Sequence, residues 1–248
     1  MTFSRINNTM MKLQLKKKVK NPTIIQGFPG FGLVGTIATE YLVEHLDCEQ
    51  IGRYWFDELP ATIAIHAGKV VDPIGIFYNK KYNLLIIHAI LTTANIEWKI
   101  ADLIEDLAKQ TSAKEIICLE GVGSAGQLKD GKEEGNIFYF TTNKKRETVI
   151  KKFAKKLNEG IIVGATSALM LKTNKPITAF FADTKSNLPD SKAAASLITG
   201  LDKYLGLKVD AKPLIETAKK FEEKLKGILE QSSKAQDDVK TKQMSYFG

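Results

Sequence analysis

A glycine-rich turn close to the beginning of the chain constrains the fold more than any other feature of the sequence. Residues 23–35 read TIIQGFPGFGLVG, in which a short apolar strand leads into four glycines and a helical pattern follows. Glycine reaches positive φ angles without a Cβ clash and proline holds φ near about −65°, so the turn permits close approaches that bulkier residues would block. The turn therefore faces either a ligand or a closely packed neighbour.

The spacing of these glycines limits the ligands that the turn can hold. No Gly-Lys-Ser/Thr follows, so the turn is not a P-loop. Residues 30–35 match the pattern G-x-G-x-x-G of dinucleotide-binding proteins, which also requires an acidic residue about twenty positions later, at the end of a second strand. Four acidic residues lie in that region, and none is clearly placed at the end of a second strand: Asp47, Glu49, Asp57 and Glu58. A structural turn is the main interpretation, and dinucleotide binding is the alternative.

The rest of the chain alternates between strand and helix patterns. Apolar runs bounded by turn residues predict strands at residues 51–56, 62–66, 74–78, 84–90, 115–119, 137–140, 161–163 and 177–182. Helical spacing of apolar residues predicts helices over residues 33–46, 96–108, 149–157 and 190–205, with Asn95 and Asp190 at the start of two of them. Such alternation is typical of parallel strands in a sheet that is covered on both faces.

The predicted fold is an α/β protein: a three-layer α/β/α sandwich with a mixed, largely parallel sheet. Short turns at residues 67–68 and 79–81 indicate antiparallel hairpins added to that sheet. Four regions are expected along the chain. They are a basic N-terminal segment at residues 1–20, the sandwich core at 21–208, a C-terminal helix packed on the core at 209–230, and a flexible tail at 231–248.

Charge and composition exclude some classes of protein. The formal net charge of +8 is concentrated in two lysine-rich patches, at residues 1–20 and 144–156, and the aromatic residues of the chain lie mostly within apolar strands rather than between these basic residues. Solvated surface is the favoured interpretation, with an acidic protein partner ahead of RNA. No apolar run reaches the roughly 18 residues of a membrane span and no secretory signal is evident, so a cytoplasmic protein is expected. Cys48 and Cys118 are predicted to be ordinary core thiols.

A ligand cleft in an open α/β sheet lies beyond the carboxyl ends of the parallel strands. The residues expected to line such a candidate cleft are Gly27, Pro29, Gly30, Gly32, Glu120, Gly121, Gly123 and Asp183. Glu120 and Asp183 are candidates for a carboxylate pair, although acids at strand ends are also ordinary capping and loop groups. The three histidines lack metal-ligand spacing, and no serine occupies G-x-S-x-G. No catalytic residue, cofactor or metal is therefore predicted.

Three segments together carry a resemblance to a known family. They are residues 26–35 (QGFPGFGLVG), 119–124 (LEGVGS) and 162–169 (IVGATSAL). In this order and spacing they resemble the archaeal branch of the proteasome assembly chaperone family, over about residues 20–230. The resemblance implies a sandwich akin to nucleoside phosphorylases, in proteins that act as assembly chaperones or binders and have no established active site.

The same resemblance implies a function for the end of the chain. Members of the family and proteasome activators often dock through a C-terminal hydrophobic residue, a tyrosine and any last residue, in pockets between the α-subunits of the proteasome core particle. This chain ends in Tyr246, Phe247 and Gly248, so phenylalanine stands where tyrosine is expected. We therefore expect a homo-oligomer that presents several such tails to the α-ring. The alternative is a small-molecule or nucleotide-binding enzyme that uses the cleft.

Overall fold

The computed structural model describes residues 14–59, 61, 63–66, 68–91, 95–123, 137–184, 188–216 and 226–227. Its strands are β1 Gln14–Leu15, β2 Thr23–Gly27, β3 Glu49–Tyr54, β4 Ala64–His66, β5 Lys69–Val71, β6 Ile74–Asn79, β7 Leu84–Ala89, β8 Glu115–Gly123, β9 Ile137–Thr141, β10 Lys155–Lys156 and β11 Ile177–Thr184. Its helices are α1 Val34–His45, α2 Glu97–Thr111, α3 Glu147–Ile150, α4 Ala165–Lys172 and α5 Ser191–Leu205.

One mixed sheet forms the central layer. Within the described residues it has nine strands in the order β1-β3-β6-β7-β2-β8-β11-β9-β10. The four central strands β7, β2, β8 and β11 are mutually parallel, whereas β6, β3 and β1 on one side and β9 on the other pair antiparallel. Every residue of β7 is buried, as expected for a strand that is covered on both faces. The predicted α/β sandwich with a mixed sheet is confirmed.

Helices cover both faces of this sheet. On one face α1 and α5 contact each other and the central strands, and their apolar side chains share a core with Ile25, Ile117 and Phe180. On the opposite face α2 and α4 contact each other over Ile24, Ile116 and Phe181. Consecutive residues of one strand therefore belong to different cores, because successive strand side chains point to opposite faces.

Two predicted elements differ from the structure. The helix predicted over residues 149–157 ends at Ile150, and the chain then pairs with β9 as β10, where the amide of Leu157 donates to the carbonyl of Tyr139 at 2.8 Å. The unpaired backbone groups at the edge of β9 offer these hydrogen bonds, which a helix would leave unused. The prediction of a strand at residues 161–163 is also wrong. That run is an irregular loop in which Ile161 is 92% exposed, and it leads into α4, which the sequence pattern missed.

Of the two predicted helix starts, one is confirmed and the other is not. The side chain of Asp190 caps α5 by accepting the amide of Ala193 at 2.9 Å, as predicted. Asn95 does not cap α2. The N-cap is Ile96, without a side-chain hydrogen bond, and Asn95 precedes it with a φ of 69°.

The strands β4 and β5 form a small separate sheet rather than an extension of the main one. In their antiparallel register Ile65 lies opposite Val70, and both side chains are exposed, as are those of Ile63 and Trp55 nearby. We call these four residues the hairpin patch. Clustered exposed apolar side chains are typical of an interaction site.

The C-terminal part of the chain is described only in fragments. A helical turn begins at residue 212, with Pro213 in its first turn as expected. The predicted continuation of that helix lies mostly outside the described residues, and the predicted flexible tail lies entirely outside them. None of the helices in the described part of the chain combines the length and apolar character needed to cross a membrane.

Candidate functional site

A cavity of about 430 Å³ opens at the carboxyl edge of the parallel strands. Four parts of the chain enclose it: the glycine turn after β2, the end of β8, the irregular loop that enters α4, and strand β11. The described residues that line it are Phe28, Pro29, Gly30, Phe31, Glu120, Gly121, Val122, Gly123, Ile161, Ile162, Val163, Gly164, Ala165 and Phe181. Its size lies within the range of about 300–1,000 Å³ that is usual for small-molecule sites.

Two glycines make this corner of the fold possible by close backbone approach. A Cβ atom on Gly27 would lie 2.5 Å from the carbonyl carbon of Gly35 and closer still to its oxygen. A Cβ atom on Gly121 would lie 2.9 Å from Cγ2 of Val34 and closer still to the carbonyl oxygen of Phe31. These glycines let α1 and the turn before it lie directly against β2 and β8. They support the interpretation of a structural turn.

The residues predicted for the cleft fall into two groups. Those that line the cavity are Pro29, Gly30, Glu120, Gly121 and Gly123. The others do not line it: Gly27 faces α1, Gly32 has a φ of 61° and lies against Thr184 and Asp190, and Asp183 belongs to β11. Residues 120–123, expected in a loop, continue strand β8 beside β11.

Glu120 and Asp183 do not form a carboxylate pair. The parallel register aligns Glu120 with Phe181 and Asp183 with Val122, so the two acids lie on one face but at different levels of the sheet. Among the described residues no hydrogen bond joins them, and one carboxyl oxygen of Asp183 is buried without a partner. The described lining of the cavity thus contains a single carboxyl group, that of Glu120.

The surroundings of Glu120 disfavour its ionised form. Burial raises the pKa of its carboxyl group to about 7, and this effect outweighs hydrogen bonds from the hydroxyl and the backbone amide of Thr166, which lower the pKa. Thr166 lies in the first turn of α4, where backbone amides have no helical partner. Its hydroxyl also accepts a hydrogen bond at 2.8 Å from Nε2 of Gln26 on β2.

A fully buried polar cluster continues behind Thr166. Gln26 is completely inaccessible, and its Oε1 atom has no hydrogen-bond partner among the described residues. Cys118, the neighbour of Gln26 in the sheet register, is also fully buried, and burial raises the pKa of its thiol to about 12. The thiol is therefore protonated at neutral pH and is a weak donor rather than a charge. Cys48 likewise has its pKa raised to about 12 by burial.

Sequence reasoning missed several residues of this site. The sequence analysis did not place Gln26, Thr166 or the loop residues 161–165 in the cleft. The position of a polar residue in a strand or helix does not show which way its side chain points, and residues 161–163 were predicted to form a strand. One signal was present, however. The three segments that carry the family resemblance, residues 26–35, 119–124 and 162–169, are distant in sequence, and their described residues meet at this cavity.

The basic patch at residues 144–156 contributes to a second, more open concavity, between β10, α5 and the segment after it. Lysines from three parts of the chain line this groove: Lys151, Lys152, Lys155, Lys192, Lys203 and Lys212. Asp202 and Asp210 are the acidic residues of its described lining. The basic residues thus border a local groove whose lining also includes the apolar residues Ile137 and Phe153. A lysine-rich groove of this kind is compatible with the expected solvated surface or acidic protein partner.

The predictions about metal binding and about the C-terminal docking residues can be compared with the structure only in part. Within the described residues, no three His, Cys, Asp or Glu side chains are grouped so that they could hold a metal ion. His88 lies buried in β7, with its Nδ1 atom 3.0 Å from the hydroxyl of Thr39. The predicted docking residues Tyr246, Phe247 and Gly248 lie outside the described residues.

The fold and the cavity define the class: a three-layer α/β sandwich protein whose cavity, at the carboxyl edge of the parallel strands, contains the partly buried carboxyl group of Glu120. Within that class, the chain belongs to the PAC2 family, whose model matches residues 24–229. The family assignment covers most of the described sandwich and all three segments of the resemblance.

Individual relatives agree with this assignment. The structure of Pyrococcus furiosus PbaA, described as an archaeal homolog of proteasome-assembly chaperone, is 28% identical and superimposes with a TM-score of 0.78 over 91% of this chain and 99% of that chain. A Thermoplasma acidophilum protein of unknown function is 25% identical with a TM-score of 0.79, covering 91% of this chain and 93% of its own. An uncharacterized protein of Methanocaldococcus jannaschii is 28% identical over 90% of this chain and 93% of its own length. The resemblance to archaeal proteasome assembly chaperone homologues is confirmed.

Proposed function

We propose that this protein is a proteasome assembly chaperone homologue or activator-like binding protein that docks its tail into α-ring pockets of the proteasome core particle. The observation that carries the proposal is the sequence Tyr246-Phe247-Gly248 at the end of a chain of this family. The relationship to PbaA, itself described as a homolog of a proteasome-assembly chaperone, supports the proteasome as partner. In this proposal the protein acts in the cytoplasm and by binding rather than by catalysis.

The chemistry of the tripeptide suits docking in a pocket. Tyr246 and Phe247 supply two aromatic rings, and a carboxylate after Gly248 can form a charge-assisted contact with a lysine of the pocket. Phe247 lacks the phenolic hydroxyl of the tyrosine expected at this place. Losing one hydrogen bond costs on the order of 1 kcal/mol, so docking is weakened but not abolished.

Several weak tails act together if the protein is a homo-oligomer. Linking binding events raises the effective concentration of each later one, so avidity exceeds the affinity of a single tail by about 10²–10⁴. The hairpin patch supports self-association, because its exposed Ile65 and Val70 side chains would gain free energy from burial against a second subunit.

The tail is tested by measuring binding of the full-length protein to purified α-rings. Deleting residues 246–248 should abolish binding and leave the melting temperature unchanged. Phe247→Tyr should tighten binding by about fivefold, the equivalent of one restored hydrogen bond of about 1 kcal/mol. Ser245→Ala, just outside the docking tripeptide, is the matched control and should bind like the wild type. Undiminished binding after the deletion would reject the tail model.

A second candidate function is favoured by one observation, the cavity that contains Glu120. An enzyme or nucleotide-binding protein would use it as a substrate site. A panel of nucleosides and nucleotides separates the two functions, because a ligand at a hundred times its Kd stabilises the fold by about 2.7 kcal/mol. Stabilisation by any compound of the panel, with no binding to α-rings, would favour the second function.

A further inference from the structure

The cavity holds an acidic group whose charge nothing in its described lining compensates. Glu120 is the one ionisable side chain among the described lining residues, and no lysine, arginine or histidine is among them. The influences on its carboxyl group are burial and the two hydrogen bonds from Thr166. Among the described lining residues no cation therefore faces this carboxyl group, and burial disfavours its ionised form.

The polar atoms near the cavity are short of donors. Glu120 has two carboxyl oxygens that can accept several hydrogen bonds, and Thr166 supplies two donors. Behind Thr166, the fully buried Gln26 leaves Oε1 without a donor among the described residues. Gln26 and Thr166 are not among the described lining residues, so the acceptor that a ligand can reach is the carboxyl group of Glu120, which suits a group with N–H donors and a positive charge. An ammonium or amidinium group has both properties.

The apolar wall of the cavity suits the same kind of group. Three phenylalanines are among its lining residues, Phe28, Phe31 and Phe181; Phe31 is 46% exposed, whereas the other two are buried. Aromatic faces attract cations and also bury apolar surface. Phe31 and the loop residues Ile161 and Val163 are exposed as well as lining, so the cavity communicates with solvent and offers apolar surface at its mouth.

We propose that this cavity is a binding site for a small organic cation, a primary amine or amidine with an aromatic or aliphatic body. In this arrangement the cationic nitrogen lies against the carboxylate of Glu120, and the body packs on the exposed lining residues Phe31, Ile161 and Val163. The site is separate from the C-terminal tail, so it adds a ligand-binding function to the proposed docking function and does not depend on it.

Binding of such a cation is coupled to the protonation of Glu120. The cation favours the ionised carboxylate, so binding releases the proton that Glu120 carries below pH 7. The other titratable groups on the strands beside Glu120 are Cys118, protonated throughout this range, and Asp183. On α4 the charged side chain is Lys172, which pairs with Asp102 of α2 at the far end of the helix.

The test uses benzylamine as the probe, with the full-length protein and isothermal titration calorimetry. Benzyl alcohol and benzoate have the same ring but carry no charge and a negative charge, respectively. We expect millimolar or tighter binding of benzylamine and at least tenfold weaker binding of the other two. Affinity for benzylamine should rise by about tenfold between pH 6 and pH 8, as Glu120 loses its proton.

Glu120→Gln should weaken benzylamine by at least tenfold and remove this pH dependence. Glu159→Gln, which changes an exposed carboxyl group outside the cavity, is the matched control and should leave both unchanged. An NMR titration of the Glu120 carboxyl carbon in the wild-type protein serves if Glu120→Gln does not fold. Its pKa should be near 7 without probe and lower with benzylamine.

Three results would overturn the proposal: equal affinity for benzylamine and benzyl alcohol, equal effects of the two glutamate variants, or a Glu120 pKa in the ordinary carboxyl range in the free protein. An ordinary pKa would mean that the protein already supplies the missing counter-charge. Each result leaves the docking of the tail to α-rings unaffected.

Discussion

At single positions, the distances to neighbouring atoms decide which glycines of the turn and of strand β8 are required. Gly27 and Gly121 have no room for a Cβ atom, because backbone carbonyl groups of Gly35 and Phe31 lie against them. Gly30 and Gly123 are different, since the nearest non-neighbouring atom to a built Cβ is 3.9 Å away at each. At Gly27 and Gly121 the absence of a side chain allows α1 and the turn before it to pack directly on the sheet. Gly30 and Gly123 border the cavity, where a small residue leaves space for a ligand.

This contrast predicts different effects of the same substitution. Gly27→Ala should lower the free energy of unfolding by about 3 kcal/mol, because a rigid backbone must shift to admit the methyl group. Gly30→Ala should change it by no more than about 0.5 kcal/mol, since the site is open and its φ of −160° suits alanine. Denaturant unfolding of both variants measures the difference. Equal stabilities would contradict the close approach at Gly27.

Glu120 gives a pH-dependent stability whose sign follows from its raised pKa. Its pKa rises from an ordinary 4.5 to about 7 on folding, so between these values the folded state binds the proton more tightly than the unfolded state does. The free energy of unfolding should therefore fall as pH rises through this window and level off above pH 7. The full effect is on the order of 3 kcal/mol.

The measurement compares the wild-type protein with Glu120→Gln from pH 5 to pH 8. The amide does not titrate, so the difference in unfolding free energy between the two proteins isolates the carboxyl group of residue 120. The wild type should lose stability relative to the variant as pH rises. Parallel profiles would show that the carboxyl group is not destabilised by burial.

At the scale of elements, the apolar pattern of the sequence correctly predicted the helices and strands whose apolar residues are buried in the structure. The strand β7 is a continuous apolar run buried on both faces, α1 is apolar and buried along most of its length, and α5 has a periodic apolar stripe that packs on the sheet. The region at residues 149–157 has a helical pattern, but an edge strand takes up its second half as β10. The apolar residues 161–163 lie on the surface beside a cavity, where an apolar run does not form a strand.

Helix α5 provides a test at this scale. One carboxyl oxygen of Asp190 accepts the amide of Ala193, and the other accepts the hydroxyl of Thr184 at 2.8 Å, so the residue joins the helix start to the end of β11. Asp190→Ala should cost about 1–2 kcal/mol of stability. Asp190→Asn keeps an acceptor for Ala193 and should cost less. Thermal or denaturant unfolding measures both, and a neutral effect of Asp190→Ala would refute the cap.

At the scale of the whole molecule, two separate features account for the proposed functions. The sandwich provides a rigid body with a cavity at its carboxyl edge, and residues 246–248 provide the proposed docking end. The proposed avidity requires that several copies of the sandwich associate, so that their tails can bind one α-ring together. The hairpin patch is our candidate for that contact, because Ile65 and Val70 lie opposite each other in the small sheet and both are exposed, as are Trp55 and Ile63.

Self-association predicts a measurable mass. Light scattering should give a multiple of the 27.5 kDa chain mass for the wild type. Ile65→Lys with Val70→Lys should reduce it toward the monomer and weaken α-ring binding by about 10²-fold or more, because each tail then binds alone. Leu171→Lys changes a comparably exposed apolar residue on α4 and is the matched control. A monomeric wild type would contradict the avidity mechanism.

The sequence by itself determined the layered α/β architecture, most of its strands, the cap at Asp190 and the turn at Gly27, because these depend on the periodicity and conformational preferences of neighbouring residues. Tertiary structure alone decided that β8 extends through Glu120, that residues 155–156 pair with β9, and that Gln26 and Thr166 meet beside Glu120. Those outcomes depend on which strands are neighbours and on which face a polar side chain is buried, and these are contacts between residues far apart in the chain.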